Sequence, residues 1–188
     1  MRLKNKMLKE ETHIIQRILN GETGQFEYFL QQYGQQVFSL IARIVCNQED
    51  AEELTQDTFL KAFQHLSSFK ADSSFSTWLY SIAYNTAITA VRKKKYNTFV
   101  VDEALLANIS DQQVNEAFNE ESEERIIQLN NAIEKLNSEE RTLITLFYHE
   151  EKPLNEIAII LGLTESNAKV RLYRVRKKIY VLMKQDEV

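Results

Sequence analysis

The stretch Leu154-Asn-Glu-Ile-Ala-Ile-Ile-Leu-Gly-Leu-Thr-Glu-Ser-Asn-Ala-Lys-Val-Arg-Leu-Tyr-Arg-Val-Arg-Lys-Lys-Ile179 decides how this chain of 188 residues is read. Ala158 and Gly162 stand at the offset of a helix-turn-helix. A small residue lets two helices approach, and a glycine in the turn permits positive φ. Thr164 is placed to cap the second helix, with Glu165 near the positive end of its dipole. Pro153 precedes the first helix, where its missing N–H costs little. On a wheel of the second helix, Ala168, Leu172, Val175, Ile179 and Leu182 form one apolar stripe. Ser166, Val170, Tyr173 and Lys177 lie opposite, flanked by Lys169 and Arg174. Such a face suits the major groove, with arginine and lysine reaching guanine edges and Val170 a thymine methyl. Basic residues farther along suit phosphates.

Charge extends this reading to the rest of the chain. The net charge of −4 is segregated. Residues 1–95 carry 12 basic and 10 acidic groups, residues 96–124 carry 8 acidic and no basic ones, and residues 125–188 carry 11 and 9. The middle stretch has little apolar periodicity and reads as a flexible acidic linker between two small helical domains. Arg92-Lys93-Lys94-Lys95 closes the first domain, and no acid falls between Lys169 and Lys184 in the second. Either cluster alone reads as a solvated helix face. Two of them, each following an apolar helix across an acidic tether, point to a polyanion.

Composition favours helices throughout. Only 4 glycines and 1 proline are available for turns, too few for an all-β or Gly-rich phosphate-loop protein. Phe26, Phe29, Leu30, Tyr33, Val37, Leu40, Ile41 and Ile44 recur at helical steps. A turn at Asn47-Gln48 leads into a helix from Glu49 to about Leu66, with Ala51, Leu54, Phe59, Ala62 and Phe63 apolar and Asp50, Glu53, Gln56, Asp57 and Lys61 opposite. After the polar loop 67–74, Ser74 or Ser76 can cap a third helix whose Leu79, Ile82, Ala83, Thr86 and Ala90 face inward. Trp78, Ser81, Asn85 and Arg92 fall on its outer face or flank, where an exposed indole suits base stacking and the alternative is a core-edge filler. In the second domain, Ile126, Leu129, Ile133 and Leu136 mark one helix and residues 141–149 another.

Other chemistries find little support. The single cysteine, Cys46, excludes an intrachain disulfide and is expected as a buried inert thiol at the end of an apolar run. His13, His65 and His149 show no ligand spacing, so no metal or other cofactor is expected. With a charged N-terminus and no stretch approaching 18 apolar residues, a soluble cytoplasmic protein without membrane insertion is expected.

Two segments together carry a family resemblance. Asp50-Ala-Glu-Glu-Leu-Thr-Gln-Asp-Thr-Phe-Leu-Lys-Ala-Phe63 and Phe75-Ser-Thr-Trp-Leu-Tyr-Ser-Ile-Ala-Tyr-Asn-Thr-Ala87 resemble the second conserved region of bacterial sigma factors. The final helix-turn-helix resembles their fourth region. Direct joining of the two is typical of the extracytoplasmic-function group of the sigma-70 family. The resemblance implies an all-α protein with a promoter-binding and polymerase-binding domain at 1–95, a linker at 96–124 and a second DNA-binding domain at 125–188.

The resemblance also implies roles. Asp50, Glu53, Gln56, Asp57 and Leu60 would bind core RNA polymerase at the clamp helices of β′, with the β subunit also a partner. Phe69, Lys70, Ser73, Ser74, Ser76, Trp78, Ser81 and Asn85 would capture the melted −10 element of promoter DNA, and Arg92, Lys93 and Lys94 would hold its backbone. Ser166, Asn167, Lys169, Val170, Arg171, Tyr173, Arg174 and Lys177 would read the −35 element as duplex. The linker would thread toward the active-site and RNA-exit channels. Such factors are not enzymes, and an anti-sigma partner is expected. The alternative is a helix-turn-helix regulator that acts without polymerase. A helical hydrolase or transferase lacks any nucleophile elbow, phosphate loop or metal spacing.

Overall fold

The structure is a computed structural model that describes residues 2–94, 106, 109–119 and 122–185, with side chains from residue 10 onward except those of Lys94 and Asn119. No strand occurs among the described residues. The first half holds α1 (Arg2–Leu19), a 3-10 turn (Thr23–Phe26), α2 (Glu27–Val45), α3 (Gln48–Gln64) and α4 (Phe75–Lys94). The second holds α5 (Asp111–Asn119), α6 (Glu123–Glu134), α7 (Ser138–Ile144) running into a π turn (Thr145–His149), α8 (Leu154–Leu161) and α9 (Glu165–Gln185).

Helix starts follow from side-chain acceptors. Asn47 Oδ1 accepts the Asp50 N–H at 2.8 Å, and Ser74 Oγ accepts that of Thr77 at 3.2 Å, which selects Ser74 over Ser76 as the cap. Asn137 and Glu140 close a reciprocal capping box on α7. Thr164 Oγ1 accepts the Asn167 N–H at 3.2 Å at the start of α9. Gly162 ends α8 in the left-handed region (φ 66°), and the Leu163 N–H returns to the Ala158 carbonyl at 2.8 Å.

Helices α2, α3 and α4 pack around Phe29, Leu40, Ile41, Ala51, Ala62, Leu79 and Ala83, with the Phe29 and Phe75 rings stacked at 4.0 Å. In the second half Leu143, Leu146, Ile157, Ile160, Leu172 and Ile179 are buried. The halves also pack on each other: α8 lies against α4, and α7 against α2. The buried side chains of both form one continuous core. This is why α4 buries Thr77, Tyr80, Tyr84, Ala87 and Ile88 besides the inward arc expected from its wheel.

Several expectations are corrected. Residues 96–105, 107, 108, 120 and 121 of the expected linker lie outside the described residues, and within its remainder α5 is a helix that buries Val114 and Ala117 and packs on α9. Cys46 is exposed, because it ends α2 in the left-handed region (φ 53°), one residue beyond the buried Val45. Leu30 is 45 % exposed, although it stands two turns before the buried Val37 on α2.

Candidate nucleic-acid interface

The acidic face of α3 stands clear of the core. Ala51, Thr58, Phe59 and Ala62 turn inward. Glu53, Gln56 and Asp57 are exposed and Asp50 is partly so. Leu60 is 55 % exposed, an apolar side chain among carboxylates. Asp57 and Asn85 line a common groove of about 430 Å³ between α3 and α4, bridged by a 3.1 Å bond from Lys61 Nζ to Thr86 Oγ1.

The loop before α4 is ordered by aromatic packing. After a 3-10 turn at Leu66–Ser68, Phe69 lies 5.7 Å from Phe75 and 5.3 Å from Trp78 between ring centroids. Trp78 is therefore partly buried against Phe69 and Phe75 rather than a free platform, with one side of the indole committed to the core edge. Lys70 is exposed, while Ser73, Ser74 and Ser76 are partly covered. Ser81 and Asn85 bond back along the helix, Ser81 Oγ to the Thr77 carbonyl and Asn85 Nδ2 to the Ser81 carbonyl. Arg92 and Lys93 are exposed at the far end. The side chain of Lys94, and Lys95 entirely, lie outside the described residues.

Helix α9 presents the expected two faces. Ala168, Leu172, Val175, Ile179 and Leu182 are all buried. Ser166, Asn167, Lys169, Arg171 and Arg174 are exposed, as are Val170 (52 %) and Tyr173 (42 %). Lys177 departs from its outward assignment. It is only 7 % exposed, and its ammonium lies 4.6 Å over the Tyr173 ring one turn back. Arg176 and Lys178 serve the fold: Arg176 Nη2 donates to Asn115 at 2.7 Å and its guanidinium lies 5.2 Å from the Phe118 ring, while Lys178 pairs with Glu140.

The structure further assembles groups that no sequence pattern singled out. Tyr80 Oη donates to Glu150 at 2.6 Å, and burial together with that carboxylate pushes the phenol far above its ordinary range, so it stays a donor. Thr77 Oγ1 donates to Glu156 at 2.8 Å. Glu139 lies between Arg92 (3.1 Å) and Arg171 (3.5 Å). Arg141 donates to the Glu134, Leu136 and Arg43 carbonyls and to Cys46 Sγ, so one guanidinium serves the C-terminal ends of both α2 and α6. Among the described residues no cluster of His, Cys, Asp and Glu could hold a metal, and no helix is long and apolar enough to cross a membrane.

Comparison with known proteins places these surfaces in context. Residues 29–96 match the family model described as Sigma-70 region 2, and residues 126–179 match Sigma-70, region 4. The ECF RNA polymerase sigma factor SigW of Bacillus subtilis is 30 % identical over 172 residues, covering 88 % of this chain and 92 % of that protein. The RNA polymerase sigma-H factor of Pseudomonas aeruginosa is 26 % identical over 181 residues, covering 91 % and 92 %. In fold, the chain is similar to CnrH in complex with the cytosolic domain of CnrY (TM-score 0.65, 21 % identity, 92 % of this chain and 96 % of that one). It is also similar to the sigma factor RpoE solved with the anti-sigma factor NepR from Bartonella quintana (TM-score 0.61, 20 % identity, 86 % and 98 %).

Proposed function

The chain belongs to the extracytoplasmic-function group of the sigma-70 family, and we propose that its two halves divide promoter recognition between a melted and a duplex element once core RNA polymerase is bound. As a sigma factor it directs transcription initiation at promoters. Its family consists of initiation factors, and we assign it no catalytic step of its own.

In this reading, residues 1–95 bind core polymerase through Asp50, Glu53, Gln56, Asp57 and Leu60 and receive the −10 strand along the loop 67–74 and the first turns of α4. Residues 125–188 read the −35 duplex through Ser166, Asn167, Lys169, Val170, Arg171, Tyr173 and Arg174. Lys177 is withdrawn from that set because it is buried. The observation that carries the reading is α9 itself: a capped helix after a left-handed glycine, apolar on one side and exposed, polar and basic over its first three turns on the other. An anti-sigma partner is proposed by analogy with the Bartonella quintana neighbour, and a cytoplasmic location follows from work on the polymerase.

The alternative, a regulator that binds duplex DNA alone, is separated by binding. With a pI near 5.5, the free chain is expected to hold promoter duplex poorly at physiological salt and to bind core polymerase tightly. Gln56→Ala with Asp57→Ala should weaken core binding while circular dichroism stays unchanged. Tight duplex binding by the free chain, with no association to core, would favour the regulator.

A further inference from the structure

Helix α1 lies ahead of residue 29, where the match to Sigma-70 region 2 begins. It nevertheless meets both ends of the loop that the proposed function gives to the melted strand. At one end it packs on the 3-10 turn Leu66–Ser68, whose Leu66 is buried and which leads directly into Phe69. At the other end it acts through Tyr33 on α2. The Tyr33 hydroxyl donates to Glu11 on α1, and the Tyr33 ring lies 5.9 Å from that of Phe75, the first residue of α4. Phe75 in turn lies 5.7 Å from Phe69 and 5.5 Å from Trp78.

Packing alone does not call for the Glu11–Tyr33 pair. Ile14, Ile15 and Ile18 already bury the apolar side of α1, and Glu11 is only 4 % exposed beside them. Carboxylates are almost never buried so fully unless paired, and here the partner is a phenol, with Glu10 adding a like charge. Apolar groups of the same shape would be near neutral or stabilising in its place. What the bond adds is direction: it fixes the tilt of the Tyr33 ring, and so the surface offered to Phe75. Burial and the carboxylate push the Tyr33 phenol far above its ordinary range, so it remains a donor. The loop itself needs such support, because Ala71 holds a left-handed conformation (φ 58°) that an alanine keeps only where its surroundings impose it.

We propose that Glu11 and Tyr33 are positioning residues for strand capture: α1 frames the loop from both ends and sets the Phe69–Trp78 pair at the angle that accepts an unstacked base. Those two rings lie 5.3 Å apart with their planes tilted by 50°. Neither Glu11 nor Tyr33 touches nucleic acid in this account. They act through Phe75, which carries the tilt of Tyr33 to both rings of the receiving edge.

This inference rests on reading Phe69 and Trp78 as strand-capturing, but its first readout does not depend on transcription. Trp78 is the sole tryptophan of the chain, so indole emission reports this edge alone. In acrylamide quenching of the full chain, Tyr33→Phe and Glu11→Leu should raise the Trp78 quenching constant roughly twofold. Glu11→Gln keeps an acceptor and should stay at the wild-type value. Glu140→Gln, which weakens the fold elsewhere, should leave the constant unchanged while circular dichroism shows a folded chain. With core polymerase bound, Tyr33→Phe and Glu11→Leu should slow open-complex formation by about fivefold at a promoter selected from a randomised library, with core affinity unchanged and Glu11→Gln restoring the rate. Quenching that moves as far in Glu140→Gln as in Tyr33→Phe overturns the proposal. So does wild-type opening by a variant whose indole has become accessible. If Trp78→Ala also opens promoters at the wild-type rate, the strand-capturing reading itself fails, and the proposal with it.

Discussion

Lys178 Nζ donates to both carboxylate oxygens of Glu140, at 3.0 and 2.8 Å, while Glu140 also closes the capping box on Asn137. One side chain thus fixes the start of α7 and anchors α9 against it. Their side chains are 9 % and 22 % exposed, so Lys178 has little water to fall back on. Glu140→Ala should destabilise the fold by about 2–3 kcal/mol and lower the melting temperature by about 5–10 °C. Glu140→Gln keeps the cap and loses the ion pair, and should fall between. An unchanged melting temperature for the alanine variant would contradict the assignment.

A second stability prediction concerns pH. Glu11 is buried and accepts a hydrogen bond from Tyr33. Burial raises its pKa from the ordinary 4.5, the Tyr33 bond partly offsets this, and Glu10 adds to the rise. A raised carboxyl gives stability that is fully present below its unfolded value and lost as pH climbs through its folded one. Glu11→Gln should therefore gain on wild type in urea midpoint as pH rises from 4.5 toward neutrality. Parallel midpoints at every pH would show that Glu11 carries no such linkage.

Trp78 combines packing with exposure. Trp78→Ala should lose about 2 kcal/mol of stability through its contacts with Phe69 and Phe75. It should also impair open-complex formation by a further amount equivalent to about 1–3 kcal/mol of base stacking. A pre-melted promoter bubble should restore part of the second loss, and Trp78→Phe should restore most of the first. An equal defect on duplex and bubble templates would reduce Trp78 to a packing residue.

If the proposed reading of α9 holds, base-reading and fold contacts should separate along it. Lys169→Ala and Arg174→Ala, both at exposed positions, should cost about 1–3 kcal/mol each and relax preference at one or two −35 positions. Arg176→Ala should leave the sequence profile intact while loosening α5, whose Asn115 and Phe118 it holds. Transcription from a −35 mutant library distinguishes them. Four-base profiles identical to wild type in both exposed-site variants would remove Lys169 and Arg174 as readers.

How much of this was legible depended on sequence distance. The helix-turn-helix is written locally: Gly162 takes positive φ, Thr164 caps, and the five-residue stripe of α9 is buried. The outer face of α3 is equally local. The second covered side of α4 is not, because Tyr80 and Thr77 find Glu150 and Glu156 across 70 and 79 residues. Glu139 and Arg141 were missed for the same reason. Helix α5 did leave a signal, the helical spacing of Val114, Ala117 and Phe118, which the acidic surroundings outweighed. Cys46 shows the limit of composition: an apolar run predicts burial only up to the residue where the helix stops.

The central claim is that this chain gives bacterial core polymerase its promoter choice. Run-off transcription with purified core and a randomised promoter library tests it most directly. The account predicts initiation, only when the chain is present, at templates sharing an upstream and a downstream element at fixed spacing. Initiation no different from core alone, while the chain binds those same duplexes without polymerase, would contradict it.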